Sequence, residues 1–543
     1  MKPILSLLLL CACLQWANAQ AIQYAYRIQF TDKNGSGFTL QNPEAYLSDR
    51  ALSRREKYNI NTDSLDLPVV QSYIDSVLEL SSGILHCKSK WLNQCVILVS
   101  DTNDVNNIAT LDFVYALKRV GVFPFGLHQK PGTGTAGTLD EMDTNFYAAA
   151  WKQIHLCNGE YLHQQGFMGE GMLIAVLDVG FVNADALSAF DSLFQGNRLA
   201  DQFNFKLNNT DVFGSGNHGT NVLSCMAAFS PEVFVGTAPK ALYALYATDD
   251  ASTEFSIEMD NWIAAAERAD SIGADLISSS LGYNTFDDTE NSYAYEQLDG
   301  HTTPIALAAD IAVQKGILVV IAAGNEGNTP WQHILTPGDA EKALTVGSVN
   351  DQKSVASTSG KGPNAAGLLK PDVCALGVQA AVISSGSGQP TTQTGTSFAT
   401  PVLAGLAACL MQAAPQKTPE EIKSLLHSVS DHYADPDNHI GYGVPDFMQA
   451  LQLVGVKEVI AGADCRIYPN PVRHTLFITL SAAWNNSRIP VAVWDAMGRT
   501  LPAPAVHRKE GGMELDVSGM APGVYRLRLD TPEGLQAVSF VKL

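Results

Sequence analysis

The feature that most constrains the fold is a series of short, largely apolar runs that alternate with helical patterns between residues 145 and 455. The runs are Met172–Leu177, Ala274–Ile277, Gly316–Ala322 and Ala343–Val349. Longer stretches with helical periodicity, such as Met259–Ser271 and Pro304–Gln314, lie between them. Strands without polar alternation that are separated by helices indicate a parallel sheet covered on both faces. We therefore predict an α/β domain here.

The chain on either side of this block has a different pattern of predicted strands, helices and turns. Residues 20–125 are predicted to form a small α+β module, with strands at 24–30, 91–99 and 114–120 and helices at 46–58, 69–80 and 105–113. Residues 126–144 are rich in Gly, Thr and Pro and form a predicted linker. Residues 466–543 are predicted to form an all-β sandwich, with strands at Leu476–Leu480, Val491–Trp494, Val524–Leu529 and Ala537–Val541.

The first nineteen residues have the pattern of a secretory signal peptide. Lys2 supplies a positive start, Ile4–Leu10 an apolar segment, and Ala17–Ala19 a cleavage site of small residues. The box around Cys13 leaves acylation at that residue as an alternative. No later apolar run is long enough to span a bilayer. We therefore expect an exported protein without a transmembrane segment.

Charge and cysteine content exclude several classes of partner and site. The 543 residues carry 34 Lys and Arg against 55 Asp and Glu, a net charge of −21, which argues against binding to nucleic acid. The seven cysteines beyond the signal peptide are thinly spread and match neither a disulfide framework nor a zinc site. Cys87 and Cys95 fit either a local bridge or two core thiols, and Cys225 and Cys409 are expected to be small core residues.

Three residues lie where an α/β domain usually places its chemistry. Asp178 ends the apolar run 174–178, and ligands gather at the carboxyl ends of parallel strands. His218 stands at the start of a predicted helix, beside a glycine that permits close backbone approach. Ser397 opens another predicted helix, whose first N–H groups can stabilise a developing oxyanion. Each has a plainer explanation when taken alone: a turn former, a structural histidine and a helix cap.

Taken together, these residues form part of a longer pattern. Seven motifs follow one another: AVLDVG (175–180), HGT (218–220), SSSLG (278–282), AAGNEG (322–327), LTVGSVN (344–350), KPDV (370–373) and GTSFATP (395–401). The order Asp, His, Ser is that of the subtilisins. On these motifs, residues 145–450 resemble the subtilase family of serine proteases.

The resemblance implies a role for each residue that matches a family motif. Ser397 would be the nucleophile, His218 the general base, and Asp178 the carboxylate that orients the imidazole. Asn325 would donate to the oxyanion together with the Ser397 N–H. A substrate-binding strand would pair with an extended peptide, and it consists of Ser278, Ser279, Ser280, Leu281 and Gly282. Catalysis would need no cofactor. Calcium stabilises loops in many relatives, but the sequence identifies no ligand set for it.

The sequence departs from the family at two positions near the triad. Val179 stands where Thr or Ser is common, so we expect the Asp178 carboxylate to lose one hydrogen bond. Asn221 stands where the family commonly has a second histidine. His301 and His333 are predicted to be ordinary loop histidines. Three acidic residues follow the predicted substrate-binding strand, Asp287, Asp288 and Glu290. They could favour basic side chains in a substrate, but we predict that they form an exposed, solvated loop. The preference of the primary specificity pocket stays open.

The flanking blocks carry resemblances of their own. The N-terminal module resembles in layout the prodomain of many subtilases, with a permanent accessory domain as the alternative. The tail is similar to the C-terminal sorting domain of the type IX secretion route, on the motifs Ile467–Pro471, Val493–Arg499, Leu515–Tyr525 and Phe540–Leu543. A carbohydrate- or protein-binding sandwich is the alternative for the tail. The sorting domain implies contact with the secretion machinery, then release or attachment at the cell surface.

The sequence therefore predicts a secreted serine endopeptidase that cleaves protein or peptide substrates through an acyl-enzyme on Ser397. The alternative from a different class is a catalytically silent surface protein, an adhesin or binding protein, on the same fold. An esterase of the α/β-hydrolase fold is excluded, because its nucleophile elbow and its order of catalytic residues differ.

Overall fold

The computed structural model describes three parts of the chain. They comprise residues 22–124, residues 146–454 and, in the C-terminal part, residues 465–470, 472–480, 489–495, 501, 505–509, 512–531 and 534–542. The predicted signal peptide and linker lie outside the described residues.

The N-terminal part is an antiparallel sheet with two helices. Its strands are β1 (Ile22–Phe30), β2 (Ile84–Ser89), β3 (Gln94–Val99) and β4 (Val114–Pro124), and its helices are α1 (Asp49–Lys57) and α2 (Gln71–Ser81). The strand order is β2-β3-β1-β4, and β1 pairs with both β3 and β4. Helix α2 packs its buried side chains, such as Ile74 and Val77, against one face of this sheet. The predicted α+β module is confirmed.

The helix predicted over residues 105–113 is wrong. Two short 3-10 turns occupy this stretch instead, at Thr102–Val105 and Ile108–Thr110. Val105 and Ile108 are buried, and their spacing of three suits a 3-10 turn as well as an α-helix. Asp101 accepts a hydrogen bond from the backbone N–H of Asn103, and such local bonds favour turns over helix.

The central part is built on a seven-stranded parallel sheet. Its strands are β5 (Leu173–Asp178), β6 (Leu199–Asn204), β9 (Leu242–Ala247), β10 (Leu276–Ser279), β11 (Leu318–Ala322), β12 (Leu344–Val349) and β13 (Val373–Leu376); the short strands β7 (Phe229–Ser230), β8 (Phe234–Val235), β14 (Ala380–Ile383) and β15 (Pro390–Gln393) form two separate hairpins. The order is β13-β12-β11-β10-β5-β9-β6, and every neighbouring pair is parallel. The predicted fold class is confirmed.

Helices cover both faces of this sheet. They are α3 (Trp151–His155), α4 (Glu160–Gln164), α5 (Asp191–Phe194), α6 (Asn217–Ala227), α7 (Ile257–Ile272), α8 (Pro304–Gln314), α9 (Thr396–Ala413), α10 (Pro419–Ser428) and α11 (Phe447–Leu453). Along β5, Ile174 and Val176 pack into the core beneath α6 and α9, whereas Ala175 and Leu177 pack into the core beneath α7 and α8. This explains why the strand lacks polar alternation: both of its faces are buried.

The N-terminal sheet lies against helix α7 of the central part. Ala25, Val96 and Val120 of the sheet form a buried cluster with Ile257 at the start of α7. Beside this cluster, Arg27 donates two hydrogen bonds of 2.7 Å to the carboxylate of Asp260. Apolar and ionic contacts therefore both hold the module in place.

The C-terminal part consists of two antiparallel sheets that share a core. The strands are β16 (Cys465–Tyr468), β17 (Thr475–Leu480), β18 (Val491–Asp495), β19 (Val506–Lys509), β20 (Gly512–Asp516), β21 (Gly523–Thr531) and β22 (Gly534–Lys542). One sheet has the order β16-β17-β20-β19, and the other β18-β21-β22. Leu476 and Leu515 of the first sheet pack in one cluster with Leu527 and Phe540 of the second. This is the predicted sandwich.

Two sequence expectations about the core can be compared with the structure. Cys225 and Cys409 are fully buried, as predicted, and Cys87 and Cys95 are free thiols. Among the described residues, one helix, Thr396–Ala413, is long and apolar enough to cross a membrane. It is 89% buried inside the protein, however, as a core helix would be.

Candidate active site

Asp178 and His218 are joined at the carboxyl end of the parallel sheet. Asp178 is the last residue of β5 and is fully buried, and His218 is the second residue of α6. The Nδ1 atom of His218 lies 2.8 Å from Oδ1 of Asp178, which also accepts a hydrogen bond of 2.8 Å from the Val179 N–H. A carboxylate in this position holds the imidazole with its proton on Nδ1 and leaves Nε2 to act as a base.

Glycine allows the two loops that carry this pair to approach each other. A Cβ atom on Gly219 would lie 2.2 Å from the Gly180 carbonyl oxygen and 3.0 Å from the Asp178 Cβ. A Cβ on Gly216, whose φ is +81°, would lie 2.7 Å from the backbone of Gly180. Any larger residue would push α6 away from β5 and break the contact between His218 and Asp178.

The Asp178 carboxylate is only partly satisfied. Its Oδ2 atom is buried and has no hydrogen-bond partner among the residues that the structure describes. Val179 offers the carboxylate its backbone N–H but has no hydroxyl to add a second bond. The consequence that the sequence predicted for this departure from the family is therefore seen in the structure.

The surroundings of His218 favour its charged form. Burial alone would disfavour an imidazolium, but the charge and hydrogen bond of Asp178, with a further contribution from Asp249, raise the pKa of His218 above its ordinary value of 6.5. The side chain keeps 31% of its surface exposed, so a substrate can reach its free nitrogen. A general base needs both properties.

Ser397 lies at the amino end of the long core helix α9. Pro401 lacks an N–H, which leaves the carbonyl of Ser397 without its helical partner, and this carbonyl accepts a 2.8 Å hydrogen bond from Ser280 Oγ. The Ser397 hydroxyl bonds weakly to the Ser280 carbonyl, at 3.4 Å. No hydrogen bond joins it to His218 in this state, although both side chains line one cavity of about 280 Å³. Nucleophile–base bonds often form only when the substrate arrives.

Asn325 lies beside the serine, in the turn that follows β11. Its Oδ1 atom accepts hydrogen bonds from the backbone N–H of Thr396 at 2.9 Å and from the Thr396 hydroxyl at 3.2 Å. These bonds fix the amide so that Nδ2 remains as a donor, and Asn325 lines the same cavity as Ser397. The Ser397 N–H lies in the first turn of α9, where backbone donors have no partner within the helix. The two donors together can bind an oxyanion.

The five residues of the predicted substrate-binding strand have different surroundings. Ser278 and Ser279 lie inside the sheet, paired with β5 on one side and β11 on the other, and are fully buried. Ser280, Leu281 and Gly282 come after β10 has ended and line the cavity. Leu281 and Gly282 form no backbone hydrogen bond within the described part of the chain. Only these last three residues are therefore placed to pair with a peptide.

One loop near the cavity differs from its prediction. Glu290 is exposed, as expected. The side chain of Asp288, however, is mostly buried and forms a 3.0 Å ion pair with Arg119 of the N-terminal module. Asp287 accepts a hydrogen bond from the backbone N–H of Glu254. The prediction of a solvated loop is wrong for Asp288, because the partner that covers it comes from a distant part of the chain. His333 stacks on a tyrosine and does not line the cavity.

Sequence reasoning missed one buried carboxylate beside the catalytic candidates. Asp249 follows β9, the strand next to β5, and lines the cavity with His218. The hydroxyl of Tyr283 donates to one of its oxygens, and that of Thr248 donates to the other at 2.7 Å. Burial, followed by smaller effects that include the Asp178 charge, raises the pKa of Asp249 to about 7. The logic that identified Asp178, a carboxylate after a parallel strand, could have found it.

Comparison with known proteins gives a match for each part of the chain. The model of the subtilase family matches residues 169–443, that of the peptidase S8 propeptide domain of Bacteroidota matches residues 25–128, and that of the secretion system C-terminal sorting domain matches residues 466–542. The chain is 32% identical over 327 residues to serine protease AprX of Bacillus subtilis (strain 168), covering 56% of this chain and 69% of that protein. It is 30% identical over 297 residues to subtilisin of Bacillus pumilus, covering 54% and 94%.

Proposed function

The chain belongs to the subtilase family, and we propose that Asp178, His218 and Ser397 form the catalytic triad of this secreted serine endopeptidase. The observation that carries the assignment is the 2.8 Å contact between Asp178 and His218 at the mouth of the cavity that Ser397 also lines. The reaction, hydrolysis of a peptide bond, is inferred from family membership, and the role of each residue is proposed from its position in the cavity.

The reaction proceeds in two halves through a covalent intermediate. Ser397 Oγ attacks the carbonyl carbon of the scissile bond while His218 Nε2 accepts its proton. His218 then gives this proton to the leaving amine, which departs and leaves the acyl group on Ser397. In the second half, a water molecule replaces the amine and releases the acid. Asp178 keeps the proton on Nδ1 and stabilises the imidazolium without itself being protonated.

The tetrahedral intermediate carries a negative oxygen that needs donors on one side. We assign this role to Asn325 Nδ2 and the Ser397 N–H, because the bonds from Thr396 commit the other end of the Asn325 amide. Replacing Asn325 by Leu is expected to lower kcat by about 100- to 1000-fold with little change in KM, because the oxyanion exists only on the reaction path.

Substrate binding needs an extended backbone next to Ser397. Ser280, Leu281 and Gly282 would add the peptide to their free edge by β-augmentation. The mechanism uses no cofactor. Within the described parts of the chain, no three His, Cys, Asp or Glu side chains are grouped as a metal site, and we assign no residue to structural calcium.

Replacement of the nucleophile tests the triad directly. Ser397→Ala should abolish peptide cleavage and labelling by a fluorophosphonate probe, because the probe reacts with an activated serine. Adding His218→Ala should lower the residual rate little further, since triad members act as a unit. Circular dichroism spectra of both variants should match that of the wild type. Labelling that persists in Ser397→Ala would reject the assignment, and an unlabelled wild type would favour the silent binding protein.

The propeptide and sorting domains suggest where the chain is divided. We propose a signal peptide at 1–19, a propeptide at 20–125, a linker at 126–144, a peptidase domain at 145–455 and a sorting domain at 466–543. The sorting domain directs the protein to the cell surface or beyond. N-terminal sequencing of the extracellular enzyme should then give a start between about residues 126 and 150. A start near Gln20 would instead identify the module as a permanent accessory domain.

A further inference from the structure

Acidic residues dominate the charged lining of the cavity around Ser397 and His218. Four carboxyl groups line it, those of Asp249, Asp250, Glu254 and Glu326, and no lysine or arginine is among its lining residues. Family membership shows that the occupant of this cavity is a peptide. The charge of the lining therefore bears on which side chains that peptide carries.

Three of these carboxyl groups are committed to the protein. Asp249 accepts from the hydroxyls of Tyr283 and Thr248. Asp250 accepts from the backbone and hydroxyl of Ser252. Glu326 accepts from the Asn325 N–H at 2.6 Å. These bonds fix the three groups as parts of the wall.

The carboxylate of Glu254 is different, because only its backbone is fixed. Its N–H donates to Asp287 Oδ2 at 3.0 Å, and its carbonyl accepts from the Asp287 N–H at 2.8 Å. No hydrogen bond or ion pair reaches its carboxylate from any residue that the structure describes. The side chain is held at the cavity by its backbone, with its charge available to a ligand.

The groups that face Glu254 make an unpaired charge there unfavourable. Burial has the largest effect, followed by the negative charges of Asp249, Asp287 and Glu326, and together they raise the pKa of Glu254 to about 8. Glu258, the second residue of α7, is a further buried carboxyl whose pKa is raised by burial and then by Asp249 and Glu254.

The cations of the neighbouring elements are engaged elsewhere. Lys206 is the cation that acts on Asp249, but its Nζ donates to the Val179 carbonyl at 2.8 Å. Arg119 of the N-terminal module pairs with Asp288. His218, on α6, is bound to Asp178. A cation from outside the chain would therefore relieve a repulsion that the fold leaves in place.

We propose that Glu254, with Asp249 behind it, forms a subsite that selects a lysine or arginine side chain of the substrate, on the amino-terminal side of the cleaved bond. The position follows from the proposed function, on which this inference rests. The acyl part of the peptide lies along Ser280–Gly282, and the hydroxyl of Tyr283 ties that segment to Asp249 across the cavity. Side chains that precede the cleaved bond therefore pass the two carboxylates.

A pair of peptides that differ in one charge tests the proposal. The processed enzyme, obtained from the full-length chain, first cleaves a peptide library, and mass spectrometry identifies the position at which Lys or Arg is enriched. The preferred peptide is then compared with the same peptide carrying Nε-acetyl-lysine. At pH 9, kcat/KM should be on the order of tenfold higher for lysine than for acetyl-lysine. Equal values would overturn the proposal.

A matched pair of variants assigns the preference to one side chain. At pH 9, Glu254→Gln should bring the lysine to acetyl-lysine ratio of kcat/KM close to one, because the amide offers the ammonium group no charge. Glu290→Gln removes a carboxylate that is exposed outside the cavity, and it should keep the wild-type ratio. A loss of preference in both variants, or in neither, would contradict the role of Glu254.

A pH titration of the wild type adds a measurement that needs no variant. Glu254 is protonated below its raised pKa of about 8, so the preference for lysine should be small at pH 6 and should grow up to pH 9. The lysine itself stays charged over this range. A ratio that does not vary with pH would contradict the proposal. The acetylated peptide also tests the proposed catalytic triad independently of the subsite. The wild type should cleave this peptide, and Ser397→Ala should not.

Discussion

Two groups of carboxylates on one stretch of the chain, residues 249–275, have opposite surroundings. Those on the outward side of α7 are buried under the N-terminal module, which supplies each of them with cations or N–H donors. Those before α7 line the catalytic cavity, and none of the described residues that line it is a lysine or arginine. The same kind of side chain is neutralised within the chain in one place and left for a ligand in the other.

Asp270 shows how completely the first group is satisfied. It receives Arg54 at 2.5 Å, Arg55 at 2.9 Å and Lys90 at 3.1 Å, all from the N-terminal module. Burial alone would raise the pKa of Asp270, but these cations hold it below its ordinary value. Glu267, one turn earlier, accepts hydrogen bonds from the N–H groups of residues 90 and 91.

The cavity shows the reverse balance. At Asp249 and Glu254, burial and like charges raise the pKa to about 7 and about 8. If the module is removed during maturation, as proposed above, buried ion pairs can bind it without affecting catalysis by the mature enzyme. A cleft that must accept and release substrates cannot keep an internal cation in the place of a substrate side chain.

The largest expected effect is on the interface with the module. Asp270→Asn would leave the buried Arg54 and Lys90 without a carboxylate, whereas Arg55 would keep Asp66, and breaking such a buried network costs about 3–5 kcal/mol. The first urea transition of the full-length chain, in a Ser397→Ala background that prevents self-cleavage, should shift to lower concentration accordingly.

Glu254→Gln is the matched control for this experiment. It also replaces a carboxylate by an amide in the same part of the chain, but it removes repulsion and no partner. The first urea transition should therefore stay where it is or move to higher concentration. If both variants were destabilised to a similar degree, the contrast between interface and cavity would be wrong.

A second, smaller effect concerns pH. A carboxyl whose pKa is raised in the folded state binds its proton more tightly there than in the unfolded chain. The contribution of Glu254 to the free energy of unfolding therefore falls as pH rises from about 4 to about 8 and is constant above that. In the processed enzyme, inactivated at Ser397 by the fluorophosphonate probe, Glu254→Gln should reduce this loss by about 2 kcal/mol, less than the full shift because the cavity is open to water.

Asp270 should give the opposite pH dependence in the unprocessed chain. Its pKa is lowered in the folded state, so its contribution is present above about pH 4 and is lost as pH falls further. Melting temperatures measured from pH 3 to pH 9 on both forms would check the two signs. A stability maximum at the same pH in both forms would contradict them.

The smallest effect is expected at the rim between the two regions. Arg119 pairs with Asp288 at 3.0 Å, but 39% of its side chain is exposed. Pairs of this kind contribute less than about 1 kcal/mol, so Arg119→Ala should barely change the urea transition. A loss comparable to that of Asp270→Asn would mean that exposure does not separate strong from weak pairs at this interface.

Much of the fold and part of the candidate site followed from local patterns. Runs such as Gly316–Ala322 were predicted to be strands buried on both faces, because polar side chains do not alternate along them and neither face could be exposed to water. The motifs around Asp178, His218 and Ser397 place each residue at the end of a strand or the start of a helix. Within 105–113, by contrast, apolar spacing alone could not distinguish two 3-10 turns from a helix.

The sequence by itself determined most element types, the family and the residues proposed for catalysis, because periodicity and motifs are local properties of a chain. Only the tertiary structure decided the electrostatics. Asp270 and Glu254 are both acidic residues in or next to α7, and nothing in the local sequence separates them. The pKa of Asp270 is lowered and that of Glu254 is raised, because different distant segments pack against them. Charge interactions depend on distance and burial, and both are fixed only when the module, α7 and the cavity walls come together.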